Sequence, residues 1–224
     1  MGLKVPAAAL NRFEQYLREL LVWQHRLNLT TASDGAEIVG LHFLDSLLPL
    51  AVWPIPTQCR VVDVGSGAGF PGIPMKIVRP DLRLTLIEAS RRRVAFLEHL
   101  RGALDLRGVE ILWVRAEALA HRPEHREAYG LAVERATARV DAAVELCLPF
   151  VEIGGGAILL KGPRALDEIG GAGPLVTSLG GIVAACDMRP LPTTDRQRVA
   201  VVVRKTVSTP ALFPRRTSRL GLPT

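Results

Sequence analysis

The residues best suited to do chemistry are three alternating glycines, Gly65, Gly67 and Gly69, and the carboxylate of Glu88. The apolar run Val61-Val62-Asp63-Val64 breaks into the turn Gly65-Ser66-Gly67-Ala68-Gly69-Phe70-Pro71-Gly72. A second apolar run, Leu84-Thr85-Leu86-Ile87, ends in Glu88. Glycine permits left-handed backbone and lets the main chain approach a ligand where a Cβ would collide. A carboxylate at the end of the following strand can accept two hydrogen bonds from a ribose diol. The order strand, glycine turn, helix, strand, carboxylate places a nucleotide-like ligand at the carboxyl end of a parallel sheet.

The spacing narrows the ligand. A dinucleotide fingerprint reads G-x-G-x-x-G, whereas this turn reads D-x-G-x-G-x-G from Asp63. Alternate glycines suit a nucleoside held without a pyrophosphate, and the pattern resembles the first motif of class I S-adenosylmethionine-dependent methyltransferases. On the glycines alone, an NAD site and a turn that merely joins strand to helix both stay open. Against the NAD reading, no Tyr-Lys or His-Asp pair stands at a strand end.

The flanking sequence supplies the elements that must position this turn. Residues 7–27 read as an amphipathic helix, with Leu10, Phe13, Leu17, Leu20, Gln24 and Leu27 on one stripe, closed by Asn28-Leu29-Thr30-Thr31. Asp34 can N-cap a second helix through Ile38, Leu41, Leu44 and Leu48, stopped by Pro49 and Pro54. From Arg60 the chain alternates. Strands are expected at 61–64, 83–88, 109–114, 130–134 and 157–160, with helices starting near Phe70 and at 90–104, 141–149 and 164–178. Segments 182–189 and 198–204, joined by Pro192-Thr193-Thr194-Asp195, read as an antiparallel hairpin. The expected fold is α/β, a seven-stranded, mostly parallel sheet wrapped by helices. Three parts are expected: a helical extension at 1–58, a Rossmann-like domain at 59–207 and a basic, extended arm at 208–224.

Composition excludes several classes. The chain of 224 residues is 48% hydrophobic, enough for a substantial core. No apolar run reaches the ~18 residues a membrane span needs, and the N-terminus lacks a signal-like apolar core, so a cytoplasmic protein with no membrane partner is expected. Cys59, Cys147 and Cys186 stand far apart without a C-x-x-C, which argues against a disulfide framework and a structural zinc site. A net charge of +6 points to a polyanionic partner. A monomer is the default expectation.

Further motifs then accumulate in order. Asn28-Leu29-Thr30, His42-Phe43-Leu44-Asp45-Ser46-Leu47, Asp63 through Pro74, Glu88-Ala89-Ser90, Arg92-Arg93-Val94-Ala95-Phe96-Leu97, Glu134-Arg135-Ala136, Lys161-Gly162 and Phe213-Pro214-Arg215-Arg216 together resemble the RsmG (GidB) family of bacterial 16S ribosomal RNA guanine-N7 methyltransferases. The resemblance covers nearly the whole chain. It implies the class I methyltransferase fold, S-adenosylmethionine as methyl donor with S-adenosylhomocysteine as product, and a guanine of the decoding region in 16S rRNA, or the small ribosomal subunit, as partner. It implies donor contacts at Gly65, Phe70, Glu88, Ala89, Ser90, Ala116, Glu117 and Arg135. Gly67 joins them on physical grounds, because with Gly65 it admits the methionine end closely. The family usually carries a small or hydroxyl residue where Glu134 stands, a departure bearing on a minor supporting role.

Guanine N7 carries an exposed lone pair and no proton. No base need act before attack, so no catalytic acid or base is assigned, and a structural or RNA-positioning role is expected of His42 and Asp45. Arg135 could hold the donor carboxylate, hold an RNA phosphate or make a structural salt bridge. Lys161, Arg164, Arg215 and Arg216 are the favoured RNA-binding residues, with Arg91, Arg92, Arg93 and Arg219 as further candidates for phosphate contact.

Overall fold

The structure, a computed structural model, describes residues 5–27, 29–30, 34–135, 139–191 and 196–215. Helix α1 (Ala7–Leu27) buries Ala9, Tyr16 and Leu20, which recur at helical spacing on one face. The side chain of Asp34 accepts the Glu37 N–H at 2.8 Å and so caps α2 (Gly35–Ile38), as expected.

The helix after that cap is not continuous. α2 runs into a π-helix over Val39–Leu44, and α3 (Leu48–Val52) follows. Pro49 lies in the first turn of α3 rather than stopping a helix. Its missing N–H has no helical partner to lose at that position. Contrary to the expectation that no apolar run is long enough, the stretch Gly35–Val52 has the length and apolar composition of a membrane span. Half of it is buried against the rest of the molecule, where Ile38, Leu41, Phe43 and Leu48 join the core.

Seven strands form one sheet: β1 (Arg60–Val64), β2 (Arg83–Glu88), β3 (Val109–Trp113), β4 (Tyr129–Arg135), β5 (Val151–Lys161), β6 (Gly181–Pro190) and β7 (Gln197–Lys205). Their order is β3-β2-β1-β4-β5-β7-β6, parallel from β3 to β5, with β7 antiparallel to both its neighbours. Alternation along each strand splits the core. Val61, Leu84, Leu131 and Ile158 face α1, α4 (Gly72–Val78) and α5 (Arg91–Ala103). Val62, Ile87, Ala132 and Leu159 face α6 (Ala116–Leu119), α7 (Val140–Cys147) and α8 (Ala165–Ser178). Strand order reverses between β1 and β4, which opens a crevice at their carboxyl ends.

Two elements differ further from expectation. β5 begins at Val151, well before residue 157, because the glycine-rich segment 151–156 takes up a register shift opposite Tyr129 and Leu131. α6 is a single turn, too short to show helical periodicity. The turn at 192–195 lies outside the described residues. The expected extended arm is instead a strap over its described part. Arg126 donates to the carbonyls of Thr209, Pro210 and Phe213, and Phe213 is buried in the core beside α7.

Candidate functional site

The glycine turn is tied to β2. Both Gly65 and Ser66 donate their N–H to the carbonyl of Ile87, at 2.9 and 3.0 Å. Gly65, Gly67 and Gly69 have φ of 73°, 57° and 96°, the left-handed region glycine tolerates. The turn brings Gly67 N–H to Glu88 Oε2 at 2.9 Å, while Ser90 N–H donates to Oε1 at 2.7 Å. Glu88 is 5% exposed and is held as an oriented carboxylate, with one further acceptor position on each oxygen.

Beside it lies a cleft of about 160 Å³, walled by Gly65, Glu88, Ala89, Ala116 and Glu117 over the apolar Val64, Ile87 and Leu146. Residues 65, 88, 89, 116 and 117, expected to share one site, therefore do. Gly67 and Ser90 act behind it by fixing Glu88, and Ser90 Oγ also caps α5 through the Arg93 N–H. A glycine-backed, mostly apolar slot with one fixed carboxylate fits an adenosine group: two acceptor positions match the ribose hydroxyls, and the apolar walls match the base.

Asp63 sits under the turn. Its Oδ2 accepts the Gly72 N–H at 2.8 Å, at the first residue of α4, which begins at Gly72 rather than near Phe70. A Cβ on Gly72 would come within 2.7 Å of that oxygen. The other oxygen, Oδ1, is buried without a hydrogen-bond partner among the described residues, and burial pushes the carboxyl pKa up to about 7.

Phe70 and Arg135 lie outside the cleft wall. The Phe70 ring stacks on Tyr16 and His42, with centroids 5.3 and 5.0 Å away, and the Arg135 guanidinium lies 4.5 Å over it. Arg135 also donates to the Leu41 carbonyl and to Asp45 Oδ2, at 3.3 and 3.5 Å. Of its possible roles, the structure displays the salt bridge, which ties the end of β4 to the N-terminal helices. Asp45 is wholly buried and takes a second cation, Arg198, at 2.9 Å; burial nevertheless pushes its pKa up. Burial and the charges of Arg135 and Arg198 push His42 down to about 3, so it is neutral at ordinary pH and cannot serve as a general acid there.

The basic candidates separate. Lys161 Nζ lies 2.5 Å from Glu134, and both are buried. Glu134 is therefore half of a buried ion pair, a larger role than the minor one expected. Arg215 grips the buried Glu145 with Nε and Nη2, at 2.9 and 2.5 Å, so its guanidinium is engaged internally. Arg164 stays exposed at the start of α8, and Arg91, Arg92 and Arg93 are exposed at the start of α5. Arg216 and Arg219 lie outside the described residues. Sequence reading missed Arg198, Glu145 and Tyr16, whose hydroxyl donates to the Ala68 carbonyl of the glycine turn at 2.5 Å. Only His42-Phe43-Leu44-Asp45 gave a local signal, since Arg198 meets Asp45 across 153 residues of sequence.

Among solved structures, the fold is similar to a putative sarcosine dimethylglycine methyltransferase from Galdieria sulphuraria, with a TM-score of 0.59 and 10% identity over 86% of this chain and 98% of that one. It is also similar to the geranyl diphosphate C-methyltransferase of Streptomyces coelicolor, solved with S-adenosyl-L-homocysteine, with a TM-score of 0.56 and 9% identity over 72% of this chain and 78% of that one. These likenesses show the fold. Two relatives named ribosomal RNA small subunit methyltransferase G align almost throughout. The protein from Roseiflexus castenholzii is 40% identical over 99% of this chain and 93% of its own. That from Halalkalibacterium halodurans is 39% identical over 96% and 90%. The model of the GidB family, rRNA small subunit methyltransferase G, matches residues 9–188, and the chain belongs to that family.

Proposed function

We propose that the protein transfers a methyl group from S-adenosylmethionine to N7 of a guanine in the decoding region of 16S rRNA. The observation that carries this reading is the Glu88 carboxylate, fixed by Gly67 and Ser90 N–H groups on the wall of a glycine-backed cleft, in a chain of this family. The donor, when bound, supplies an activated methyl group on a sulfonium. Glu88 holds the ribose hydroxyls, Gly65 lets the methionine end approach, and Ala116 and Glu117 border the adenine. The remaining work is alignment of N7 with the methyl carbon, together with exclusion of water. No side chain has to take a proton before attack.

For the RNA, Arg164 and the exposed cluster Arg91 to Arg93 serve as phosphate contacts, while Lys161 and Arg215 act chiefly through Glu134 and Glu145. The protein works as a cytoplasmic monomer without a membrane partner, and 1–58 acts as a helical extension on the 59–207 domain. The test is labelled methyl transfer to small subunits lacking the modification, mapped by nuclease digestion, with Gly65→Arg as control. Label in one 7-methylguanine, lost in the control, is the expected result. Donor binding without transfer to 16S rRNA overturns the substrate, and no donor binding overturns the activity.

A further inference from the structure

A second recess opens at the same edge of the sheet, two strands along from the glycine turn. It measures about 360 Å³ and is lined by Lys161, Arg164, Glu168 and Arg198. β1 and β5 are separated by β4 alone, so this recess stands roughly 10 Å along the sheet from the cleft, at ~4.8 Å per strand.

Its wall carries a carboxylate among cations. Glu168, on the first turn of α8, accepts the Val140 N–H through Oε2 at 2.8 Å. That bond fixes the carboxylate, and Oε1 has no partner among the described residues. A pocket for bare phosphate gains nothing from an open carboxylate oxygen. A pocket for a guanine does. The Watson–Crick edge of guanine offers N1–H and N2–H donors beside the O6 acceptor, while N7 lies on the major-groove edge. Adenine presents a bare N1 acceptor there, which a carboxylate repels.

We propose that this recess is the acceptor-base pocket and that Glu168 recognises guanine through its N1–H and N2–H groups. The inference rests on the rRNA guanine reading above. Held by that edge, the base can turn N7 back toward the cleft, and Arg164 at the rim is placed for the phosphate. In the transfer, the N7 lone pair forms the N–C bond as the C–S bond breaks. The bonding electrons stay on sulfur and the base leaves as cationic 7-methylguanine, with no proton lost.

The test compares 16S rRNA assembled into small subunits with guanine or with inosine, which lacks the N2 amino group, at the mapped target position. The proteins compared are the full-length chain and Glu168→Gln. Glutamine keeps an oxygen for the Val140 N–H but puts a donor where the second acceptor stood. For the wild type, kcat/KM should fall roughly tenfold on inosine, the cost of one hydrogen bond to a charged acceptor. For Glu168→Gln the guanine-to-inosine ratio should collapse to about one, while titration with S-adenosylhomocysteine shows unchanged affinity. A variant that discriminates like the wild type overturns the proposal. So does a wild type that treats both bases alike, a comparison that decides even if the variant does not fold. A wild type that methylates neither substrate removes the rRNA guanine reading itself.

Discussion

At the ends of β1 and β2 the ligand edge is built of main chain, with Gly65 and Ser66 N–H on the Ile87 carbonyl and Gly67 and Ser90 N–H on Glu88. At the ends of β4, β5 and β7 it is built of buried ion pairs: Asp45 with Arg135 and Arg198, and Glu134 with Lys161. Backbone donors come with the turn and are oriented by it, so the first half depends on shape. Buried charges must be matched, so the second half depends on partners. Removing a partner there leaves an uncompensated charge, whereas removing a ligand contact in the first half costs affinity more than stability.

The largest expected effect follows from that difference. Asp45→Ala strands two cations in the interior and should lower unfolding free energy by about 3–5 kcal/mol, measured by urea denaturation. Donor affinity, measured where the variant is still folded, should change less than about threefold, because the cleft does not contain Asp45. Equal losses in both would erase the distinction between the halves. Next, Glu88→Ala removes charge-assisted acceptors from the ribose and releases two N–H groups. Donor affinity should drop about 100-fold by calorimetric titration, and a drop below fivefold would mean the carboxylate only braces the turn.

A pH titration sharpens the contrast through Asp63 in the first half and His42 in the second, two groups perturbed in opposite senses. Asp63 has its folded pKa raised to about 7, so the native state holds its proton longer and stability falls as pH rises from about 4 to 7. His42 is lowered to about 3, so the unfolded state binds the extra proton and stability rises with pH from about 3 to 6.5. In the wild type the two slopes, each at most about 1.4 kcal/mol per pH unit, oppose each other. Asp63→Asn should expose the rising slope and His42→Gln the falling one, by denaturation at stepped pH. Identical profiles in the two variants would show that neither group sets the pH dependence. The smallest effect is expected from Arg93→Ala. Its nitrogen stands 3.9 Å from Glu88 and its side chain is 46% exposed, so donor affinity and stability should each move by at most about 0.5 kcal/mol.

The same difference decides what could be read from the sequence. The glycine turn, β1, β2 and Glu88 lie within 29 consecutive residues, 60–88, and their spacing is local, so Gly65 and Glu88 were legible in the residues themselves, whereas Ala89, Ala116 and Glu117 came only with the family resemblance. The strand count and the late hairpin, whose apolar runs are periodic, were legible too. The ion-paired half was not. Asp45 and Arg198 lie 153 residues apart, and Glu145 and Arg215 lie 70 apart, and no local pattern marks which charge meets which. Lys161 and Arg215 looked available to RNA because charge is visible in a sequence and its partner is not. Phe70 was named as a donor contact by the family resemblance, and its ring stacks on Tyr16 and His42. The short α6 and the π-helix escaped because neither has the length for a period to emerge.

The placement of β7 between β5 and β6 has a consequence for how the chain is made. During synthesis β6 emerges first, yet it has no neighbour until residues 197–205 have left the exit tunnel. Until then β5 presents a bare edge of main-chain donors and acceptors, an invitation to another nascent chain. The sheet must be finished by insertion rather than by addition. Pulse-labelled exchange on stalled chains should therefore find β1 to β4 protected while the outer edge of β5 and all of β6 still exchange freely.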